Sequence, residues 1–102
     1  SWAVITEAAW LLRRHPDGLR RLLQLLTEDV VLCLDLDAAA PGLISEYAAK
    51  FAGLRPQLAD LSLVYLADRE GVRHIFTLDR RDFLVYRDSA NNPFLLLPDA
   101  IP

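Results

Sequence analysis

Three acidic residues stand where an ionised carboxylate is costly unless it is paired or holds a metal. Glu7 has Ala3 and Val4 one turn before it and Leu11 one turn after, and Asp60 is followed at i+3, i+4 and i+7 by Leu63, Val64 and Ala67. At helical spacing both acids project from, or beside, an apolar stripe. Asp79 follows the apolar run His74-Ile75-Phe76-Thr77-Leu78. In open α/β sheets ligands bind beyond the carboxyl ends of the strands, which is where Asp79 falls if that run is a strand. Clustered carboxylates at such a place suit the hard cations Mg²⁺ and Mn²⁺. Two such ions activate a water and stabilise the leaving oxygen in phosphodiester hydrolysis. Simpler roles are open for the same residues. The helix dipole favours an acid in a first turn, and an Asp after a strand is an ordinary turn residue.

The elements that would carry these acids follow from periodicity and punctuation. Residues 3–14 have Val4, Ala8, Leu11 and Leu12 at helical spacing, and Pro16 ends that helix. Asp17 can cap a second helix bearing Leu19, Leu22, Leu23, Leu25 and Leu26. The run 30–36 has the length and β-branched content of a strand buried on both faces. Asp37 is a candidate N-cap for a helix over 38–52, with Pro41 tolerated in its first turn. A further helix spans 57–70 and stops at Gly71. Residues 74–78 read as a short strand, 80–83 as a turn, and 94–97 as a last strand. Helices alternating with short apolar strands predict an α/β fold with a parallel sheet. Three strands make a thin sheet for so many leucines, so the sheet is expected to be incomplete.

The 102 residues suffice for one small domain, 1–102, without repeat or linker. A hydrophobic fraction of 53% and mean hydropathy of +0.19 are high for that size and predict apolar surface facing a partner or a further segment. Cys33 is the only cysteine, which leaves no internal disulfide and no cysteine-based zinc site. In its apolar run it reads as a small buried hydrophobe. No stretch approaches the roughly 18 apolar residues of a membrane span, and no signal segment is present, so the expected location is cytoplasmic. A net charge of −3 excludes a strongly basic nucleic-acid binder but not a nuclease whose site is itself acidic.

Three blocks resemble the PIN-domain ribonucleases, and among them the toxin subunits of VapBC toxin–antitoxin pairs. Ser1-Trp2-Ala3-Val4-Ile5-Thr6-Glu7-Ala8 is similar to the family's helix entry with an acid after Thr. Leu58-Ala59-Asp60-Leu61-Ser62-Leu63-Val64-Tyr65-Leu66-Ala67 is similar to the helix of the third acid. Ile75-Phe76-Thr77-Leu78-Asp79-Arg80-Arg81-Asp82-Phe83 is similar to the strand and turn of the fourth, and is the most specific block. Their order matches across essentially the whole chain.

The resemblance implies a three-layer α/β/α domain with a central parallel sheet and Mg²⁺- or Mn²⁺-dependent endonucleolytic cleavage of RNA. It carries Glu7, Asp60 and Asp79 over as catalytic, metal-binding acids, with Thr77 as a supporting hydroxyl that orients a carboxylate. Asp82 is an extra acid or, the favoured reading, a turn residue leading into Phe83. The implied partners are an antitoxin protein and a second copy in a homodimer, received in part by the early helices with Trp2, Trp10 and the leucines 22–26. The family's first acid lies on an N-terminal central strand that has no counterpart here, so truncation is the expectation, with a divergent, catalytically incompetent interaction module as the alternative.

Arg80 and Arg81, beside Asp79, are candidates for holding RNA phosphates, against a solvated turn as the ordinary reading. Arg13-Arg14 and Arg20-Arg21 bracket the turn 15–18 and face RNA, an acidic partner or plain solvent. His15 and His74 lack metal-ligand spacing and read as structural.

Overall fold

The computed structural model describes residues 1–77 and 80–98. Its elements run α1 (Trp2–Leu11), α2 (Gly18–Thr27), α3 (Ala40–Lys50), a 3-10 turn (Ala52–Leu54), α4 (Leu58–Glu70), β1 (His74–Phe76), α5 (Arg80–Phe83) and β2 (Leu95–Leu97). The chain is a mixture of helix and strand in which β1 and β2 pair in parallel, His74 with Leu95, Ile75 with Leu96 and Phe76 with Leu97.

The core forms around α4. Ala59, Leu61, Ser62, Val64, Tyr65, Leu66 and Ala67 are all buried, so this helix is covered on most of its circumference. α3 adds Ala40, Ile44, Tyr47 and then Phe51, a stripe at i, i+4, i+7 and i+11 that packs on α4. From the sheet come Ile75 and Leu96, the one inward residue of each strand. Tyr86 closes the far side, its ring meeting Phe51 and Phe83 edge-on with both centroid distances 5.1 Å.

Helix ends follow the punctuation closely. Asp37 Oδ1 accepts from the Ala39 N–H at 3.1 Å, so it caps the turn that leads into α3, and Pro41 sits in that helix's first turn. Gly71 ends α4 at φ 67°, and the Val72 N–H reaches back to the Ala67 carbonyl at 2.8 Å. Asp17 stands at the N-cap position of α2, though its side chain makes no capping bond. Residues 80–83, expected as a turn, form a single helical turn, with Leu84 N–H bonding the Arg80 carbonyl at 2.9 Å.

The expected strand over 30–36 is not formed. A strand needs a neighbour to take its backbone groups, and among the described residues this run has none. It lies open, with Val30 66% and Leu32 70% exposed. Cys33 within it is half-buried, short of the buried position expected. α1 and α2 stand outside the main core as well: α1 packs on α4 and α2 packs on α1. No helix among the described residues is long and apolar enough to cross a membrane.

Candidate functional site

The connection 71–73 is short, and α4 packs on β1, so the helix must run back against the strand. Asp60 lies ten residues before Glu70, about 15 Å along the helix at 1.5 Å per residue. From Arg73 to Thr77 an extended chain covers about 13 Å. By these lengths the start of α4, with Asp60, falls toward the carboxyl end of β1. Asp60 sits half-buried in the first turn of α4, near the positive end of the helix dipole.

Thr77 is half-buried and bonds β2 through its N–H, which donates to the Leu97 carbonyl at 2.8 Å. Asp79 lies outside the described residues, two positions further on. Arg80 donates from Nη1 to the Pro98 carbonyl at 2.6 Å, tying α5 to the chain that follows β2. Arg81 is exposed. Asp82 is half-buried within α5, and its carbonyl accepts from the N–H groups of Val85 and Tyr86.

Glu7 is set differently from its expected place. The buried stripe of α1 centres on Ile5, with Ser1, Ala8 and Ala9 half-buried around it. Two residues on from Ile5, a side chain is turned roughly 200° around the axis, so Glu7 faces solvent and is exposed. The cause is the choice of stripe: Ile5, not Val4 and Leu11, is what α1 buries against α4. The start of α1 is fixed by a hydrogen bond between the hydroxyls of Ser1 and the fully buried Ser62, 2.7 Å apart, while Ser62 donates to the Ala59 carbonyl at 2.7 Å. That joint stands one half-turn beyond Asp60, so Glu7 and Asp60 occupy neighbouring helices. Among the described residues no group of three or more His, Cys, Asp or Glu side chains converges, and a set completed by Asp79 falls partly outside them.

A second feature adjoins this end of the fold. In the β1–β2 ladder the Arg73 carbonyl accepts from Leu95 N–H at 2.7 Å, and Thr77 N–H donates to Leu97. By the strand's alternation, the backbone groups of His74 and Phe76 point to the opposite edge, which carries no strand among the described residues. A cleft of about 320 Å³ runs along that edge. Leu32 and Leu34 of the open segment line one side, Ile75 and Phe76 the other, and Leu63, Leu66 and Ala67 of α4 form its floor.

One polar cluster was not foreseen as such. Tyr65 hydroxyl donates to Asp37 Oδ1, Arg69 Nη1 approaches Asp37 Oδ2 at 3.4 Å, and the same nitrogen donates to the Asp35 carbonyl at 2.8 Å. The hydrogen bond from Tyr65 is the main cause holding the Asp37 carboxyl below its usual range, and the same bond pushes the Tyr65 phenol up. Tyr65 and Arg69 at i, i+4 on one helix face were the available signal. This cluster clamps the end of the open segment to α4.

Comparison with protein-family models gives no match for this chain, and comparison with curated proteins gives none either.

Proposed function

We propose that this chain belongs to a metal-dependent endoribonuclease of the PIN type, a three-layer α/β/α domain acting as the toxin of a toxin–antitoxin pair. What supports the reading is half-buried Asp60 in the first turn of α4, a helix that packs on β1 and by its length returns toward the carboxyl end of that strand. Asp79 follows Thr77 by two residues in the sequence. Glu7 on the neighbouring helix is the third acid of the set. Carboxylate oxygens are the donors that Mg²⁺ and Mn²⁺ prefer, so the residue types fit the implied ions. When bound, such ions supply an activated water and a counter-charge for the leaving oxygen. Asp60 would hold its ligand position through helix packing, and Thr77 would orient a neighbouring carboxylate. The apolar cleft beside β1 supports the same reading, because it offers room and backbone partners for one further parallel strand. Arg80 and Arg81 would receive RNA phosphates, and a cognate antitoxin and a second copy would cover exposed apolar surface of the early helices away from the turn that joins them.

Glu7's exposure favours a second reading, a PIN-like module that binds protein without cleaving RNA. Both readings meet in one assay. RNA cleavage in Mg²⁺ or Mn²⁺ should vanish with EDTA and fall by at least about a hundredfold in Asp60→Asn, the scale on which even outer partners of a metal ligand act. Equal cleavage by the two proteins would remove Asp60 from the site, and absence of cleavage by either would favour the module.

A further inference from the structure

The corner between α1 and α2 has a charge unlike the rest of the molecule. Residues 10–21 hold four of the eleven cations and one of the fourteen acids, leaving seven cations against thirteen acids elsewhere. Arg13, Arg14, Arg20 and Arg21 are all exposed. Arg20 reaches Asp17 at 3.7 Å in an exposed pair, too open to be worth much. The side chains of Arg14 and Arg21 make no hydrogen bond or ion pair among the described residues, so their guanidinium groups are available.

The corner is also rigid. His15 N–H bonds the Leu12 carbonyl at 2.9 Å, Gly18 N–H bonds the His15 carbonyl at 3.1 Å, and Arg21 N–H bonds the Asp17 carbonyl at 2.9 Å. Gly18 is buried so tightly that a Cβ there would stand 2.6 Å from the Leu12 carbonyl oxygen. The two arginine pairs are thus held on either side of a fixed turn. Beside them the Arg13 guanidinium lies 3.8 Å over the Trp10 ring while its Nη1 donates to the Trp10 carbonyl at 2.9 Å. Trp10 remains 62% exposed. An exposed indole next to uncommitted guanidinium groups is the combination that binds unpaired bases and their phosphates together. An acidic peptide would use the charge but would leave the indole without a planar partner.

We propose that the α1–α2 corner is a binding surface for single-stranded RNA, with Trp10 stacking a base and Arg14 and Arg21 taking phosphates. It lies along α1 beyond Glu7 and acts by binding, so it holds whether or not the chain cleaves RNA. The test is anisotropy of a short fluorescein-labelled oligouridylate titrated with the full chain in EDTA. Replacing Arg14→Gln with Arg21→Gln should weaken binding roughly tenfold to thirtyfold at about 0.1 M salt and flatten the salt slope by about 1.4, the change for two phosphate contacts to a single strand. Trp10→Ala should weaken it by about fivefold or more with the salt slope unchanged. Lys50→Glu with Arg55→Glu alters charge away from the corner and should leave affinity within about twofold of the unaltered chain at the same salt. Circular dichroism of each variant reports that the fold is intact. Undiminished binding by the double Gln variant, equal loss in the distant variant, or no RNA binding at low salt would each overturn the proposal. Binding of oligoglutamate in place of RNA would overturn it in favour of an acidic protein partner.

Discussion

Tyr65 donates its phenolic hydrogen to the Asp37 carboxylate across 28 residues of chain, fastening the middle of α4 to the turn that starts α3. Arg69, one turn further along α4, completes the clamp and holds the Asp35 carbonyl as well. The open segment 30–36 has no strand neighbour among the described residues, so this clamp is what fixes its far end. Tyr65→Phe should lower the thermal midpoint by a few degrees, the scale of one lost hydrogen bond in a domain of this size. The pH dependence has a definite sign. Asp37 is held below its usual range chiefly by the Tyr65 hydrogen bond. The clamp's contribution is therefore complete above the ordinary aspartate pKa of about 3.9 and is lost as pH falls through the lowered value in the folded state. Midpoints of wild type and Tyr65→Phe should differ at neutral pH and converge in acid. A gap that persists in acid would show that Asp37 is not the partner that matters.

Tyr47 makes the opposite prediction. Its phenol is pushed up to about 12, first by burial and then by its hydrogen bond to Asp68 at 3.1 Å. Asp68 also receives the N–H and hydroxyl of Ser89, so ionising Tyr47 would set two negative charges side by side in a joint between α3, α4 and the loop near Ser89. Because the folded-state value lies above the ordinary one, this stability is fully present below about pH 10 and is lost as pH rises through about 12. Tyr65 is raised as well, and in an alkaline titration followed by phenolate absorbance the late step that coincides with unfolding should be that of Tyr47. Tyr47→Phe should remove that late step. Its persistence in the variant would assign it to another tyrosine.

Local punctuation was legible in the sequence because it depends on single residues. Gly71 ends α4 in the left-handed conformation only glycine adopts freely, and Asp37 caps the turn that leads into α3, whose N-cap is Ala39. Strands near 74–76 and 95–97 and the parallel sense of the sheet were also legible from helices alternating with short apolar runs, while their pairing with each other was not. What failed depends on partners. Val30, Val31 and Leu32 have the composition of a buried strand, yet composition cannot supply the neighbour whose backbone a strand must bond. The expected setting of Glu7 beside a buried stripe missed for a related reason. Val4 and Leu11 on one flank and Ile5 with Ala8 on another are both apolar faces of α1, and only packing against α4 selects Ile5. For the candidate site, Asp60's place in a first turn was readable, while its placement toward the carboxyl end of β1 rests on α4 packing against that strand. The arginine corner was visible as four residues, but its rigidity comes from Gly18's contact with Leu12.

The free edge of β1 gives a last prediction, and one that bears on the proposed fold. In the ladder with β2, the N–H of Thr77 is bonded to Leu97, and by alternation the N–H of Ile75 points the same way. The N–H groups of His74 and Phe76 point into the cleft lined by Leu32 and Leu34. Amide exchange should therefore alternate along the strand, with His74 and Phe76 exchanging faster than Ile75 and Thr77 by about tenfold or more, the effect of one protecting hydrogen bond. Addition of a strand to this edge, as the proposed domain requires, would slow His74 and Phe76 to their neighbours' rates and would protect amides within 30–36 at the same time. Simultaneous protection is the distinguishing result, because a strand seated in the cleft has two edges and must bond both sides. Slow exchange at His74 and Phe76 without any change in 30–36 would mean that the edge is covered by something other than a strand bridging the two.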